Sequence, residues 1–265
     1  MAGDPVPAES AFRPALPCRL RLRLRTRVEP WKGADIWEEH VFVREIPSAQ
    51  LAILICDMWD THTCTAAARR VDAMAPRMNA VVSLARAAGV QVIHSPSDVL
   101  DFYADTPERR RMLAVPAAAP PRPRELPDPP LPIDDSDGGC DSGEPRRTQP
   151  PWPWTRQHPA LEITQPDVIS ARGDEVYSLL RHLGIGTLVL MGVHTNMCVL
   201  HRSFGIKSMT RWGVRCVLAR DLTDALYNPA MPPHVTHDQG TEIVIQHIER
   251  YWCPSVLGED LTRPV

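Results

Sequence analysis

Lysine is almost missing from this chain of 265 residues: only Lys32 and Lys207 occur, so nearly all the positive charge is arginine. Chemistry that needs a lysine amine has those two positions and no others. Short cysteine spacings are missing too. Cys18, Cys56, Cys64, Cys140, Cys198, Cys216 and Cys253 make an odd number, with no CxxC pair and no zinc-ribbon pattern, so reduced thiols in a cytoplasmic protein are expected. No stretch approaches the roughly 18 consecutive apolar residues of a membrane span, and the N-terminus lacks the apolar core of a secretory signal. Neither membrane nor secretion is therefore expected. A net charge of −3 gives no reason to expect a nucleic-acid partner. The local exception is "RLRLRLRTR", residues 19–27, whose period of two reads as a strand with one basic, solvated face. A nucleic-acid-binding arm is the alternative reading of that stretch.

What is present is an alternation of strands and helices. "LAILICDMW" (51–59), "GVQVIHSP" (89–96), "GTLVLMGV" (186–193) and "GVRCVLARD" (213–221) are short, continuous runs rich in Val, Ile and Leu, as expected for strands covered on both faces. Helical spacing follows at 66–89, where Val71, Met74, Met78, Val81, Val82 and Ala85 recur and Gly89 ends the pattern. The same holds for 174–184, ending at Gly184, and for 198–213, ending at Gly213. Such alternation predicts an α/β fold with a parallel sheet. Residues 1–50 read as an N-terminal β extension, 51–257 as the main domain and 258–265 as a tail. Residues 114–160 form a proline-dense insertion with no helix or strand expected. Within it "PIDDSDGGCDSG" (132–143) reads as a lid, a metal loop or a solvated turn.

In open parallel sheets ligands bind beyond the carboxyl ends of the strands. Asp57 to Asp60, His94 to Asp98, His194 to Cys198 and Asp221 to Asp224 all fall there. Cys198 opens a helix, where unpaired N–H groups favour a thiolate and can hold an oxyanion. Asp57, at the end of another strand, is placed to take the thiol proton. A buried thiol that merely packs is the plain alternative. Trp59, His94, Arg202 and His237 are the residues selected as substrate contacts. Asp60, His62, His94 and the acids of 134–141 are loose candidates for a metal, but no metal or cofactor is assigned.

The stretch "GVHTNMCV" resembles the Gly-Val-x-Thr-x-x-Cys-Val signature of the isochorismatase-like cysteine hydrolases, and "AILICDMWD" resembles that family's opening strand with its catalytic aspartate. The likeness continues through "GVQVIHSPSD" and "GVRCVLARDLTDA" and covers about residues 50–100 and 160–250. It implies a three-layer αβα sandwich around a mostly parallel six-stranded sheet, a homo-oligomer, and a small-molecule substrate. It also implies hydrolysis of an amide or carbamoyl C–N bond through a thioester, with Cys198 as nucleophile and Asp57 as base. A cis peptide at Val193–His194 and an oxyanion hole from the amides of His194 and Cys198 complete the implied site.

The sequence departs from that pattern at one place. Where the family carries the lysine of its Asp–Lys–Cys triad, "PDVISARGDEV" has Ala171. Arg172 is the nearest cation, and the acidic loop at 132–143 is the other group available to complete the site. Two further classes stay open: an altered or degenerate relative that binds or regulates, and a thiol switch with Cys140 as the resolving cysteine.

Overall fold

The computed structural model describes residues 12–13, 16–145, 147 and 149–265. Residues 1–11, 14 and 15 of the N-terminal extension lie outside the described residues. The strands are β1 (Arg19–Val28), β2 (Glu38–Pro47), β3 (Leu51–Cys56), β4 (Gln91–Ser95), β5 (Val168–Ile169), β6 (Thr187–Val193), β7 (Arg215–Asp224) and β8 (Ser255–Val256). The helices are α1 (Thr65–Ala87), α2 (Pro107–Leu113), α3 (Gly173–His182), α4 (Cys198–His201), α5 (Ile206–Arg211) and α6 (His237–Tyr251). One sheet runs in the order β2-β1-β8-β7-β6-β3-β4-β5. Its last six strands are mutually parallel, and β1 and β2 join at one edge as an antiparallel hairpin. The six-stranded sheet and its N-terminal addition are thus one continuous surface.

The two faces of β3 explain why its sequence is apolar throughout. Side chains alternate across a strand, so Leu51, Ile53 and Ile55 pack with Val71, Ala75, Met78 and Val82 of α1. Ala52, Leu54 and Cys56 pack on the other side with Val176 and Leu179 of α3, Ile206 and Met209 of α5, and Val244 and Ile248 of α6. Helix, sheet and helix make the three layers. Leu20, Leu22 and Leu24 of β1 extend the α1-side core and are almost fully buried. Arg19, Arg23, Arg25 and Arg27 of the same strand are matched by carboxylates. Arg25 pairs with Glu249 at 2.7 Å and Glu242 at 3.0 Å, and Arg23 with Asp260 at 3.0 Å.

One expected helix divides. Residues 198–213 form α4 and α5, not a single helix. The chain leaves helical geometry at Arg202 (φ −57°, ψ 158°) and resumes at Ile206, after the Gly205 amide has bonded the Arg202 carbonyl at 2.7 Å. That break governs where the Arg202 side chain goes. The two-residue strand β8 was absent from the expected set because a run so short has no period to detect.

Among its described residues the proline-rich insertion, 114–160, has no helix and no strand beyond the isolated bridge of Gln157 to Trp59, as its composition requires, and it is anchored at many points. Asp128 pairs with Lys207 and Arg211, Asp135 accepts from Asn196, Asp137 from Asn228, and Asp60 from Thr155. Its Ile133 and Trp154, and Leu161 just after it, are buried.

Candidate active site

The β6–α4 turn is fixed from three sides. Gly192 has φ +107°, and a Cβ there would meet the Cys56 carbonyl oxygen at 2.1 Å, so only glycine fits between β6 and β3. The Val193–His194 peptide is cis. The Thr195 amide bonds the Asp224 carbonyl at 2.9 Å, and the Asn196 side chain bonds both the amide and carbonyl of Leu226 at 2.8 and 3.1 Å. The signature's Thr195 and Asn196 therefore hold the backbone, and Cys198 is presented at the first position of α4.

Asp57 follows β3 in the left-handed region (φ +46°), a conformation aspartate tolerates better than most residues. Its carboxylate is fully buried. One oxygen accepts the Ser97 amide at 2.7 Å and the other accepts Arg202 Nε at 3.1 Å. The Cys198 thiol lies close enough to this carboxylate for each group to influence the other's ionisation. Arg202 reaches on to Asp98 at 3.0 Å through its terminal nitrogen. Asp57, Cys198 and Arg202 are thus one cluster, with the arginine as its cation.

The electrostatics follow from burial. Desolvation pushes the Asp57 carboxyl above its ordinary range, opposed by Arg202, the Cys198 thiol and Ser97. Desolvation, followed by the charge of Asp57, pushes the Cys198 thiol well above its ordinary range, with Arg202 opposing. This corrects the expectation of a thiolate held by a helix end. α4 has only four residues, so its dipole is small, and the neighbouring carboxylate dominates. Arg202 itself loses charge stability by burial but gains more from Asp57, Cys198 and Asp98, and it stays cationic. The resting cluster pairs a thiol and a guanidinium with the Asp57 carboxyl, whose ionised form Arg202 favours against burial.

These groups open onto a cleft of about 300 Å³ lined by Trp59, His62, Cys64, Trp152, Trp154, His194, Cys198 and Arg202 among others. Trp59 stacks on Trp154 at 4.3 Å between ring centroids, and Trp154 on Trp152 at 4.9 Å. Together they form one aromatic wall. His62 joins it, 5.6 Å from Trp154 and nearly coplanar. His194 is almost fully buried, and its Nε2 has no hydrogen-bond partner among the described residues. Burial, then the charges of His62 and Arg70, hold that imidazole down to about 3, so it is neutral. A larger cavity of about 480 Å³ lies between the β1–β2 hairpin, β7 and Trp252, away from these groups.

Several expected site residues are elsewhere. His94 is fully buried, its ring held by Gln157 at 3.0 Å and Asp167 at 3.0 Å, and it does not line the cleft. His237 bonds Asp224 at 2.9 Å and the Tyr227 carbonyl at 2.9 Å, and it too stands behind the cleft wall. Both rings are committed to structure, which corrects their reading as substrate contacts. Arg172 is exposed and pairs with Asp174 at 2.7 Å, so it does not replace the lysine. Ala171 packs against the core. Asp60 accepts from Thr155 and Arg156 and serves as an anchor for the insertion. Trp152, Trp154 and Cys140 come from the insertion and were not singled out for the cleft. The "PWPW" tryptophans at 152 and 154 were the available signal.

The His94 network carries a prediction. Asp167 is fully buried and accepts Arg86 at 2.8 Å twice as well as His94. Burial opposes its charge, but these partners hold its carboxyl below the ordinary value. Asp167→Asn is expected to cost about 3 kcal/mol at neutral pH, because Arg86 is left without its counter-charge. A depressed carboxylate stabilises above its unfolded value of about 3.9 and loses that as pH falls through the folded value, so the penalty should shrink below about pH 4. Urea unfolding at both pH values tests this, with activity per folded molecule unchanged.

No family model matches the sequence, and no curated protein matches it. Solved structures do. The chain aligns with a cysteine hydrolase from Pseudomonas syringae pv. phaseolicola 1448A at TM-score 0.52 and 19% identity, covering 82% of this chain and 93% of that one. An isochorismatase from Pseudomonas putida KT2440 aligns at TM-score 0.47 and 13% identity over 81% and 91% of the two chains. An isochorismatase-like hydrolase from Alkaliphilus metalliredigens gives 0.47 and 13% over 82% and 98%. The first of these likenesses establishes the architecture: this chain has the isochorismatase-like α/β fold. No helix among the described residues is long and apolar enough to cross a membrane.

Proposed function

We propose that the protein is a hydrolase of a small molecule that cleaves an amide or carbamoyl C–N bond through a thioester on Cys198. The observation that carries this is the buried cluster in which one carboxylate, Asp57, meets both a thiol and a permanent cation. As Cys198 Sγ attacks the carbonyl carbon, its proton passes to Asp57, and the carbonyl oxygen takes up the electron pair. The amides of His194 and Cys198 bind that oxyanion. Collapse of the tetrahedral species breaks the C–N bond, and Asp57 returns the proton to the leaving nitrogen. Water, deprotonated by the same carboxylate, then cleaves the thioester, releasing the acid and restoring the thiol.

Arg202 takes the lysine's place as a charge but not as an acid, since a guanidinium does not give up its proton near neutral pH. It holds Asp57 ionised despite burial and fixes its direction. The same reading makes the protein a cytoplasmic homo-oligomer. A panel of primary amides, carbamoyl amino acids and ureido compounds, scored by ammonia release, tests the reaction class. Hydrolysis confined to esters or vinyl ethers would refute C–N specificity.

The tryptophan wall suits a flat or apolar substrate, and neutral His194 Nε2 supplies one hydrogen bond to it. Trp152, half-exposed at the end of the stack, is expected to contact substrate. Trp152→Ala should raise KM about fivefold with kcat nearly constant, since a stacked aromatic contact contributes about 1 kcal/mol. Steady-state kinetics on the best substrate checks the split.

A further inference from the structure

The geometry points to a site for a divalent metal of the zinc class, formed by Cys64, Cys140 and Glu144 at the rim of the cleft that holds Cys198, with its fourth position open to that cleft. One ligand atom from each residue lies within 4.8 Å of the other two. Zinc–sulfur bonds of about 2.3 Å and zinc–oxygen bonds of about 2.1 Å bring tetrahedral ligands to within about 4 Å of one another, so a small inward adjustment completes the shell. All three residues line the cleft together with Cys198, His194 and Arg202.

The donors come from separate segments that the fold holds together. Cys64 is the residue before α1, and Cys140 and Glu144 belong to the insertion. The insertion is locked at this point. Asp141 makes two bonds to Arg70, at 2.8 and 3.1 Å, and Arg70 also bonds Asp224 at 2.9 Å. Gly139 turns with φ +73° so close to Leu226 that a Cβ would meet its carbonyl oxygen at 2.1 Å. The carboxylate is aimed as well: Glu144 accepts Thr65 Oγ1 at 2.6 Å and Ser142 Oγ at 2.5 Å, the kind of outer contact that orients a metal ligand.

The donor chemistry selects the ion. Two thiols with one carboxylate suit zinc and disfavour magnesium and calcium, which take oxygen ligands. Three protein ligands with an open position is the arrangement of a zinc ion that receives water or a substrate heteroatom. Of the earlier metal candidates, Asp60 and His94 are committed to other partners, His62 accepts the Cys64 amide, and Asp135, Asp137 and Asp141 of the acidic loop bond Asn196, Asn228 and Arg70. The absence of a CxxC spacing hid this set, because sequence motifs detect only ligands close together in the chain.

The test is metal retention, read without turnover, so it stands or falls separately from the Cys198 reaction. Reduced protein is equilibrated with Zn²⁺, desalted and assayed for metal. About one zinc per chain is expected, with Cys64→Ser and Cys140→Ser each weakening binding at least about tenfold. Cys18→Ser, outside the cluster, should leave it unchanged. No zinc on the wild-type protein, or zinc retained in the Cys64→Ser/Cys140→Ser double variant, overturns the proposal. Where the variants fold poorly, Co²⁺ titration of the unaltered protein decides. A thiolate-to-cobalt charge-transfer band is expected, and a complex without it overturns the site. A Cys64–Cys140 disulfide that persists under reductant does the same.

Discussion

Cys198→Ala is expected to lower kcat on the preferred amide by on the order of 10⁴-fold, and Asp57→Asn by a comparable factor. The two losses should not add, because the carboxylate acts only through the thiol and, later, through the water that attacks the thioester. Asp57 is fully buried and each oxygen accepts a hydrogen bond, so the asparagine fills the same space but turns its NH2 toward one donor, and activity is compared per folded molecule. Ammonia release by the two single variants and the double variant provides the measurement. Substantial activity surviving in either single variant would remove that residue from the chemistry.

The second large effect belongs to Arg202. Arg202→Met should cut kcat/KM by about 10² to 10³, the range for loss of one charged stabiliser. It should also displace the acid limb of the pH profile. Rate requires Asp57 ionised, and burial already raises its carboxyl while Arg202 pulls it back. Without the guanidinium the carboxyl rises further, so the limb moves to higher pH. A plainly structural arginine would lower activity without moving the limb. Arg202→Lys keeps a cation near Asp57 and should recover at least about tenfold of the loss. A limb that stays put in Arg202→Met would contradict the assignment.

Much of this architecture was legible along the chain. Continuous Val/Ile/Leu runs such as "LAILIC" and "TLVLMGV" have few homes other than central parallel strands, and they proved to be β3 and β6. Once those strands are parallel, topology alone brings Asp57 and Cys198 to one edge. The identity of the cation was not legible. Arg202 looks like one turn of a continuous helix, and only the break after α4 directs it onto Asp57. Arg172 was the nearer cation in sequence, but exposure and its pair with Asp174 remove it. His94 lies near the end of β4 and His237 opens α6, places where functional histidines occur, yet carboxylates claim both rings. Trp152 and Trp154 were hidden for a different reason. An insertion without periodicity gives no indication of which surface it will cover.

The thiol's resting state also separates this cluster from a thiolate stabilised by its surroundings. Cys198 is protonated until its proton moves to Asp57, so alkylation of the resting enzyme reports little about turnover, and the cleft holds two other thiols, Cys64 and Cys140. The most direct measurement is therefore mass spectrometry of the enzyme acid-quenched during turnover of an amide substrate, followed by peptide mapping. An added acyl mass is expected on the peptide carrying Cys198 and not in Cys198→Ala. An acyl group found on Cys64 or Cys140, or turnover with no covalent intermediate under conditions where acyl transfer is fast, would contradict a thioester on Cys198.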